Sequence, residues 1–242
     1  MPPILKKILR ASIIGLALGG IVFWWIRRNA PVSRVDEVRR RMAPQMKQLL
    51  RASGFDLGDA VFIRIFKETR ELELWLRSEN SPRFHLWKIY HVAAMSGKLG
   101  PKLAEGDGQA PEGFYEVTAE ALNPESDFHL SFNVGFPNEF DVASERTGSW
   151  IMVHGGDASV GCFAMTDPVI EEIYLIAEAA LKKGQSSFAL HVFPFRMTEK
   201  RMSEVAESEW LSFWDNIREG YIRFEAEHIP PTVRIIEGRY EF

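Results

Sequence analysis

The stretch VFIRIFKETRELELWLR, Val61 to Arg77, constrains this chain more than any other. Apolar and polar residues alternate through VFIRIF, break at KETR and alternate again through ELELWLR. A period of two on both sides of a polar turn predicts a β-hairpin and commits the region to sheet. FHLWKIYHVA reads as a third strand, and FYEVTAEAL, FHLSFNVGF, SWIMVHG and FALHVFPFR as further short strands. Ser96 to Gly113 is a long loop rich in Gly, Pro and charge, of a length usually found in functional or disordered segments.

Helices interrupt this pattern. VIEEIYLIAEAALKK has apolar residues at helical spacing, with Thr166 or Asp167 as cap, Pro168 just inside and Gly184 as stop. A last amphipathic helix is expected from about Ser203 to Glu227, its core face built from Trp210, Phe213, Trp214 and Tyr221. Near the start, Ser33 with Asp36 is a capping-box pattern and Gly54 a stop, while Pro44 is expected to kink or split the helix between them. The fold class is therefore mostly β with attached helices, α+β.

The first thirty residues are different. Ala11 to Ile26, ASIIGLALGGIVFWWI, carries no charge and is flanked by Lys6, Lys7, Arg10, Arg27 and Arg28. As a helix it spans roughly 24 Å, a little short of a hydrocarbon core of about 30 Å, and Trp24 and Trp25 sit where an interfacial belt would be. An uncleaved signal anchor fits best. A cleaved signal peptide is the alternative, although the arginines crowd any small-residue cleavage site. Four regions follow: residues 1–30 as membrane segment, 31–58 as helical spacer, 59–198 as the main domain, and 199–242 as a C-terminal helical extension packed on it.

A formal net charge of −4 gives a nucleic-acid partner no global electrostatic support. One cysteine in 242 residues excludes an internal disulfide, CxxC redox chemistry and cysteine-rich zinc sites. No His/Cys spacing calls for a metal, and no cofactor is implied. That lone Cys162 follows Gly161, and His154 ends an apolar strand eight positions upstream. A cysteine nucleophile needs a thiolate, a base and donors for an oxyanion. This stretch offers all three: His154 as base, the amides of Gly161 and Cys162 as donors, and a helix N-terminus after Asp167. Spacing alone leaves open that Cys162 is a buried small hydrophobe and His154 a structural histidine.

His154-Gly155, a short loop, and Ser159-Val160-Gly161-Cys162-Phe163-Ala164-Met165 resemble the signature of the L,D-transpeptidase (YkuD-type) catalytic domain, a His-Gly pair followed by Ser/Thr-x-Gly-Cys. VFIRIFKETRELELWLR resembles that family's opening hairpin, and Ala110-Pro111-Glu112-Gly113-Phe114-Tyr115 its Thr-Pro-x-Gly-x-Phe/Tyr stretch. The resemblance covers about Ala60 to Met197. Within the family, the blocks FIRIFK, LELW, SGKLGPKL, QAPEGFY, HLSFN, GCFAMTD, IEEIY and HVFPFRM are similar to a YafK-like branch of Gram-negative bacteria. Two positions depart from the pattern: Ala164 stands where Arg is frequent, and Val160 where His or Arg is frequent.

The resemblance implies a β-sandwich with attached helices, Cys162 as nucleophile and His154 as general base, either taking the thiol proton or forming a preformed ion pair. Gly161, Ser159 and Gly155 would shape the oxyanion loop. With cations missing at 160 and 164, substrate carboxylates would be met by Lys98, Lys102, Arg146 or Arg196. His191 is the runner-up base. The implied substrate is a peptidoglycan stem peptide, attacked to give an acyl-enzyme thioester in the periplasm, with work at the peptidoglycan–murein lipoprotein linkage. Formation of diaminopimelate cross-links and a non-catalytic cell-wall-binding module are the alternatives.

Overall fold

A computed structural model of the protein describes residues 32–242. The expected membrane segment, residues 1–30, lies outside the described residues. Among the described residues no helix is long and apolar enough to cross a membrane.

β1 (Ala60–Phe66) and β2 (Glu71–Arg77) form the expected antiparallel hairpin, with Ile63 opposite Leu74 and Arg64 opposite Glu73. β3 (His85–His91) pairs with β2, β9 (Ser187–Phe193) runs parallel to β1, and β4 (Gly113–Thr118) pairs antiparallel with β9. A second sheet follows chain order: β5 (Leu122–Asn123), β6 (Ser131–Asn133), β7 (Met152–His154) and β8 (Phe163–Ala164). The two sheets touch where Phe132 of β6 meets Phe188 of β9 edge-on, at 5.8 Å between ring centres. The fold is mixed α+β and mostly sheet.

Alternation ordinarily marks a half-buried strand, yet β1 is buried on both faces. The cause is the C-terminal segment. A single helix from Ser203 to Glu227 is not what forms: α4 (Glu199–Glu204) and α5 (Leu211–Glu227) are separate, and α5 lies over Phe62, Arg64 and Phe66. The polar members of the hairpin therefore had to be satisfied inside. Arg64 pairs with Glu73 at 2.7 Å and Glu225 at 2.6 Å, and its guanidinium stacks on Phe224 and Trp75. Trp214 and Tyr221 are buried as expected, and Trp210 and Phe213 pack partly buried beside them. A terminal hairpin, β10 (Arg234–Ile236) with β11 (Arg239–Glu241), escapes the sequence reading because each strand is three residues long. Its Tyr240 is clamped by Asn216, whose side chain bonds both the Tyr240 N–H and its carbonyl.

α1 (Arg34–Ala52) begins at the Ser33 cap, where the hydroxyl accepts from Asp36 N, and it continues through Pro44 without splitting. Its residues from Val38 onward belong to the same compact unit as the sheets, with Val38, Met46 and Leu50 buried. Arg39 and Arg41 pair with Glu178 and Glu171 of α3 (Asp167–Lys183). α3 carries Pro168 in its first turn, ends at a left-handed Gly184, and packs on strands of both sheets. A short α2 (Glu139–Ala143) is closed by an Asn138–Asp141 capping box.

The long segment between β3 and β4 is ordered by a buried ion pair. The Lys67 ammonium donates to Gly100 O at 2.7 Å, Ala110 O at 2.9 Å and Glu112 Oε1 at 3.0 Å. Glu112, with no exposed surface, also accepts from Gly100 N and Trp214 Nε1. Burial pushes the Lys67 pKa below its ordinary value, and Glu112 opposes that shift. Removing one partner of such a pair strands the other charge. Glu112→Ala is therefore expected to lower the unfolding free energy by about 3–5 kcal/mol, read as a urea midpoint shift at unchanged slope. A loss below about 1 kcal/mol would show that the lysine finds another partner or water.

Candidate active site

β7 and β8 run parallel, with Val153 opposite Phe163 and His154 opposite Ala164. This register sets Cys162, the residue before β8, beside Met152. Because side chains alternate along a strand, Met152 and His154 share a face of β7. The Met152 N–H donates to Cys162 Sγ at 3.3 Å, and Sγ lies 3.4 Å from Trp150 O. A carbonyl only accepts, so the second contact needs the protonated thiol. Cys162 and His154 both line a cavity of about 300 Å³, with Ser131, Met152, Phe128 and Trp150 as further walls.

His154 is only 3% exposed. Its Nδ1 lies 2.6 Å from Gly155 O, which assigns the proton to Nδ1 and leaves Nε2 as the basic atom. Phe128 covers the ring at 4.8 Å. Burial lowers the His154 pKa, opposed by the Gly155 carbonyl. Burial raises the Cys162 pKa, opposed by the Met152 amide and the charge of Lys102. Both shifts favour neutral forms, and no hydrogen bond joins sulfur to imidazole among the described residues. Burial thus works against a preformed thiolate–imidazolium pair at this site.

No family model matches the chain. It is 40% identical over 184 residues to YafK of Escherichia coli (strain K12), named as a candidate L,D-transpeptidase, and the match spans 76% of this chain and 74% of that protein. The chain belongs to the YafK branch of the L,D-transpeptidase family. Among solved structures, the helical cell shape determining protein Pgp2 of Campylobacter jejuni is similar at a TM-score of 0.42 and 20% identity, covering 61% of this chain and 55% of that one. Bd1075 of Bdellovibrio bacteriovorus is similar at a TM-score of 0.39 and 25% identity, covering 65% of this chain and 59% of that one.

The loop that bears the L,D-transpeptidase signature differs in detail from the expected oxyanion hole. Gly161 has φ +82, a left-handed conformation suited to glycine, but its N–H donates to Ser96 Oγ at 2.8 Å. The Gly161 amide is therefore already engaged. Gly155 is sterically required: a Cβ there would lie 2.5 Å from Asp167 Oδ1 and 2.7 Å from Phe128 O. Asp167 does not cap its own helix from the preceding position but accepts from Gly156 N, tying this loop to the start of α3. Ser159 Oγ is buried without a hydrogen-bond partner among the described residues.

None of the four cations expected to meet substrate lines the cavity. Lys98 is exposed, and its backbone is bracketed by the Gln109 side chain. Lys102 is buried, pairs with Asp107 at 2.6 Å, and reaches Cys162 only through its charge. Arg146 is buried against Asp141, between Phe140 and Phe213. Arg196 pairs with Glu71 and Glu73 on the other sheet. His191 lies on β9 amid Phe62, Phe114 and Phe193, with its pKa pushed down to about 3 chiefly by burial. It lines a larger cavity of about 730 Å³ that contains neither Cys162 nor His154. Sequence reading missed Trp150, which has φ +56, stands 74% exposed, and offers the carbonyl that meets the thiol. No local signal marks it, since its importance comes from the strand pairing.

Proposed function

We propose that this chain is a cysteine-dependent enzyme of peptidoglycan stem peptides. The observation that carries the reading is the placement of Cys162 and His154 in one cavity, with the imidazole tautomer set by Gly155 O so that Nε2 can accept a proton. His154 Nε2 takes the thiol proton as Sγ attacks a stem-peptide carbonyl carbon. The carbonyl π bond opens, and the oxyanion is met by the Cys162 amide rather than by that of Gly161. The tetrahedral species collapses to a thioester, and the leaving amine departs with the proton from His154. An incoming amine then gives transpeptidation, and water gives hydrolysis. Membership of the YafK branch favours the bond between peptidoglycan and murein lipoprotein as the target, and cleavage as the outcome. Such a substrate calls for a periplasmic domain. The anchor over residues 11–26 rests on the sequence alone.

The test is incubation of the soluble fragment from about Val35 to Phe242 with two muropeptide sets, one bearing a bound lipoprotein peptide and one free. Mass spectrometry is expected to show release of the lipoprotein peptide and a stem peptide gaining water. Formation of new cross-links between free muropeptides, with the lipoprotein-bearing set untouched, would replace this reading by transpeptidation between diaminopimelate residues. No change in either set would favour a non-catalytic cell-wall-binding module.

A further inference from the structure

Cys162 is held between two ties to one short segment, residues 93–96. On its C-terminal side, Ala164 N donates to Ala94 O at 2.9 Å, and Ala93 N donates back to Ala164 O at 2.8 Å. On its N-terminal side, Gly161 N donates to Ser96 Oγ at 2.8 Å. The Ser96 hydroxyl spends its one proton on Gly108 O, at 2.5 Å, so toward Gly161 it acts only as an acceptor. The ties fall one residue before the cysteine and two residues after it. They leave the Cys162 backbone little freedom and aim Sγ at Trp150 O and Met152 N.

The segment is itself anchored. Gln109 bonds the Lys98 N–H and the Lys98 and Gly100 carbonyls, and Asp107 accepts from the amides of Leu103, Ala104 and Gln109. The buried Lys67–Glu112 pair fastens its far end. A chain of fixed contacts therefore runs from the core to the nucleophile turn.

We infer that Ser96 is a positioning residue for the Cys162 nucleophile, fixing the Gly161 amide so that the sulfur stays in its attack geometry. The inference rests on the enzymatic reading above for its kinetic consequence, but not for its effect on the thiol. Losing the hydroxyl loosens the turn without touching substrate, so kcat falls and KM holds. The thiol meanwhile leaves its partly buried position and behaves more like an exposed one. The charged and titratable groups facing it, Lys102 through its charge and His154 and Asp127 in the cavity wall, are unchanged.

The experiment compares wild type, Ser96→Ala and Ser96→Thr in muropeptide turnover and in iodoacetamide alkylation of Cys162 across pH, with melting temperature as the control for folding. Ser96→Ala is expected to lower kcat by about tenfold or more at nearly constant KM. Its alkylation profile is expected to move to lower pH, towards that of an ordinary thiol. Ser96→Thr, which keeps the acceptor oxygen, should restore both. An alkylation profile unchanged in Ser96→Ala would overturn the inference, whatever the turnover. If wild type turns over no muropeptide, the functional reading fails, and alkylation still decides the role of Ser96. Should Ser96→Ala not fold, amide exchange in the wild-type protein decides instead: Gly161 N–H is expected to be strongly protected, and exchange at the rate of a free peptide would overturn the inference.

Discussion

Cys162→Ala is expected to abolish turnover while the protein stays folded. In the proposed mechanism the sulfur forms the bond to the acyl group, and the serine hydroxyls of the cavity wall, Ser126 and Ser131, are weaker nucleophiles that do not occupy its place. Loss of the nucleophile should cost three orders of magnitude or more, roughly, in kcat/KM. The structural cost is small: the side chain is only partly buried, and its partners are one amide and one carbonyl of its own cavity wall. Circular dichroism and the melting temperature should therefore be near those of wild type. Residual activity within about tenfold of wild type would exclude covalent catalysis through Cys162. A variant that still binds muropeptides tightly, beside a wild type that binds and never turns over, would identify a cell-wall-binding module instead.

His154→Ala should have the second largest effect. Loss of a positioned general base ordinarily costs about 10²–10⁴ in rate, and the loss should fall on kcat/KM with little change in ground-state affinity. Its pH dependence is specific. Burial holds the His154 pKa below its ordinary value, so in the proposed mechanism the imidazole would still accept a proton on the acid side of that value. The acid limb of kcat/KM is expected below about 6.5, the ordinary histidine value. Because burial raises the thiol pKa, wild-type Cys162 should alkylate with a midpoint above about 8.5. A midpoint well below that value, lost in His154→Ala, would establish a preformed ion pair and contradict the electrostatics of the site.

His191→Ala is the control. His191 packs among aromatic rings on the other sheet, so its loss should lower stability and leave kcat/KM per folded molecule nearly unchanged. The sign of its pH linkage follows from its depressed pKa. Burial pushes the folded His191 pKa down to about 3, whereas an unfolded histidine has an ordinary pKa near 6.5. Its contribution is complete above the unfolded value and declines as pH falls towards the folded one, by up to about 1.4 kcal/mol per pH unit. His191→Ala should therefore flatten the acid branch of the stability curve. If it instead removes activity and spares stability, the base lies on β9 and the roles given to the two histidines are reversed.

The Lys67–Glu112 pair and the Ser96 tie lie beyond what sequence reading can reach. Lys67 sits in the predicted turn of the first hairpin, where a lysine is ordinarily a solvated charge, yet the loop after β3 folds back and buries it. Arg146 and Arg196 were plausible substrate ligands by chemistry alone. Their carboxylate partners, Asp141 for one and Glu71 and Glu73 for the other, had already claimed them. A free cation and a paired one look identical in a sequence, because pairing depends on which elements come together.

Features that depend on near neighbours along the chain could be read from its residues. Period-two alternation placed the first hairpin, Pro168 and Gly184 bounded α3, and Ser33 with Asp36 started α1, since strand pleat and helix caps are set within a few residues. Around Cys162 and His154 the spacing showed only a strand end, a glycine turn and a cysteine close together along the chain; their proposed roles came from the family resemblance. The remaining features depend on how distant segments pack. That packing closed α5 over the hairpin and made Arg64 a core residue. It set Cys162 beside Met152 through a parallel pairing, and it gave the Gly161 amide to a serine 65 positions away. It also pushes the Cys162 pKa up and the His154 pKa down, because both shifts come chiefly from burial, a property of the packed molecule and not of any short stretch of chain.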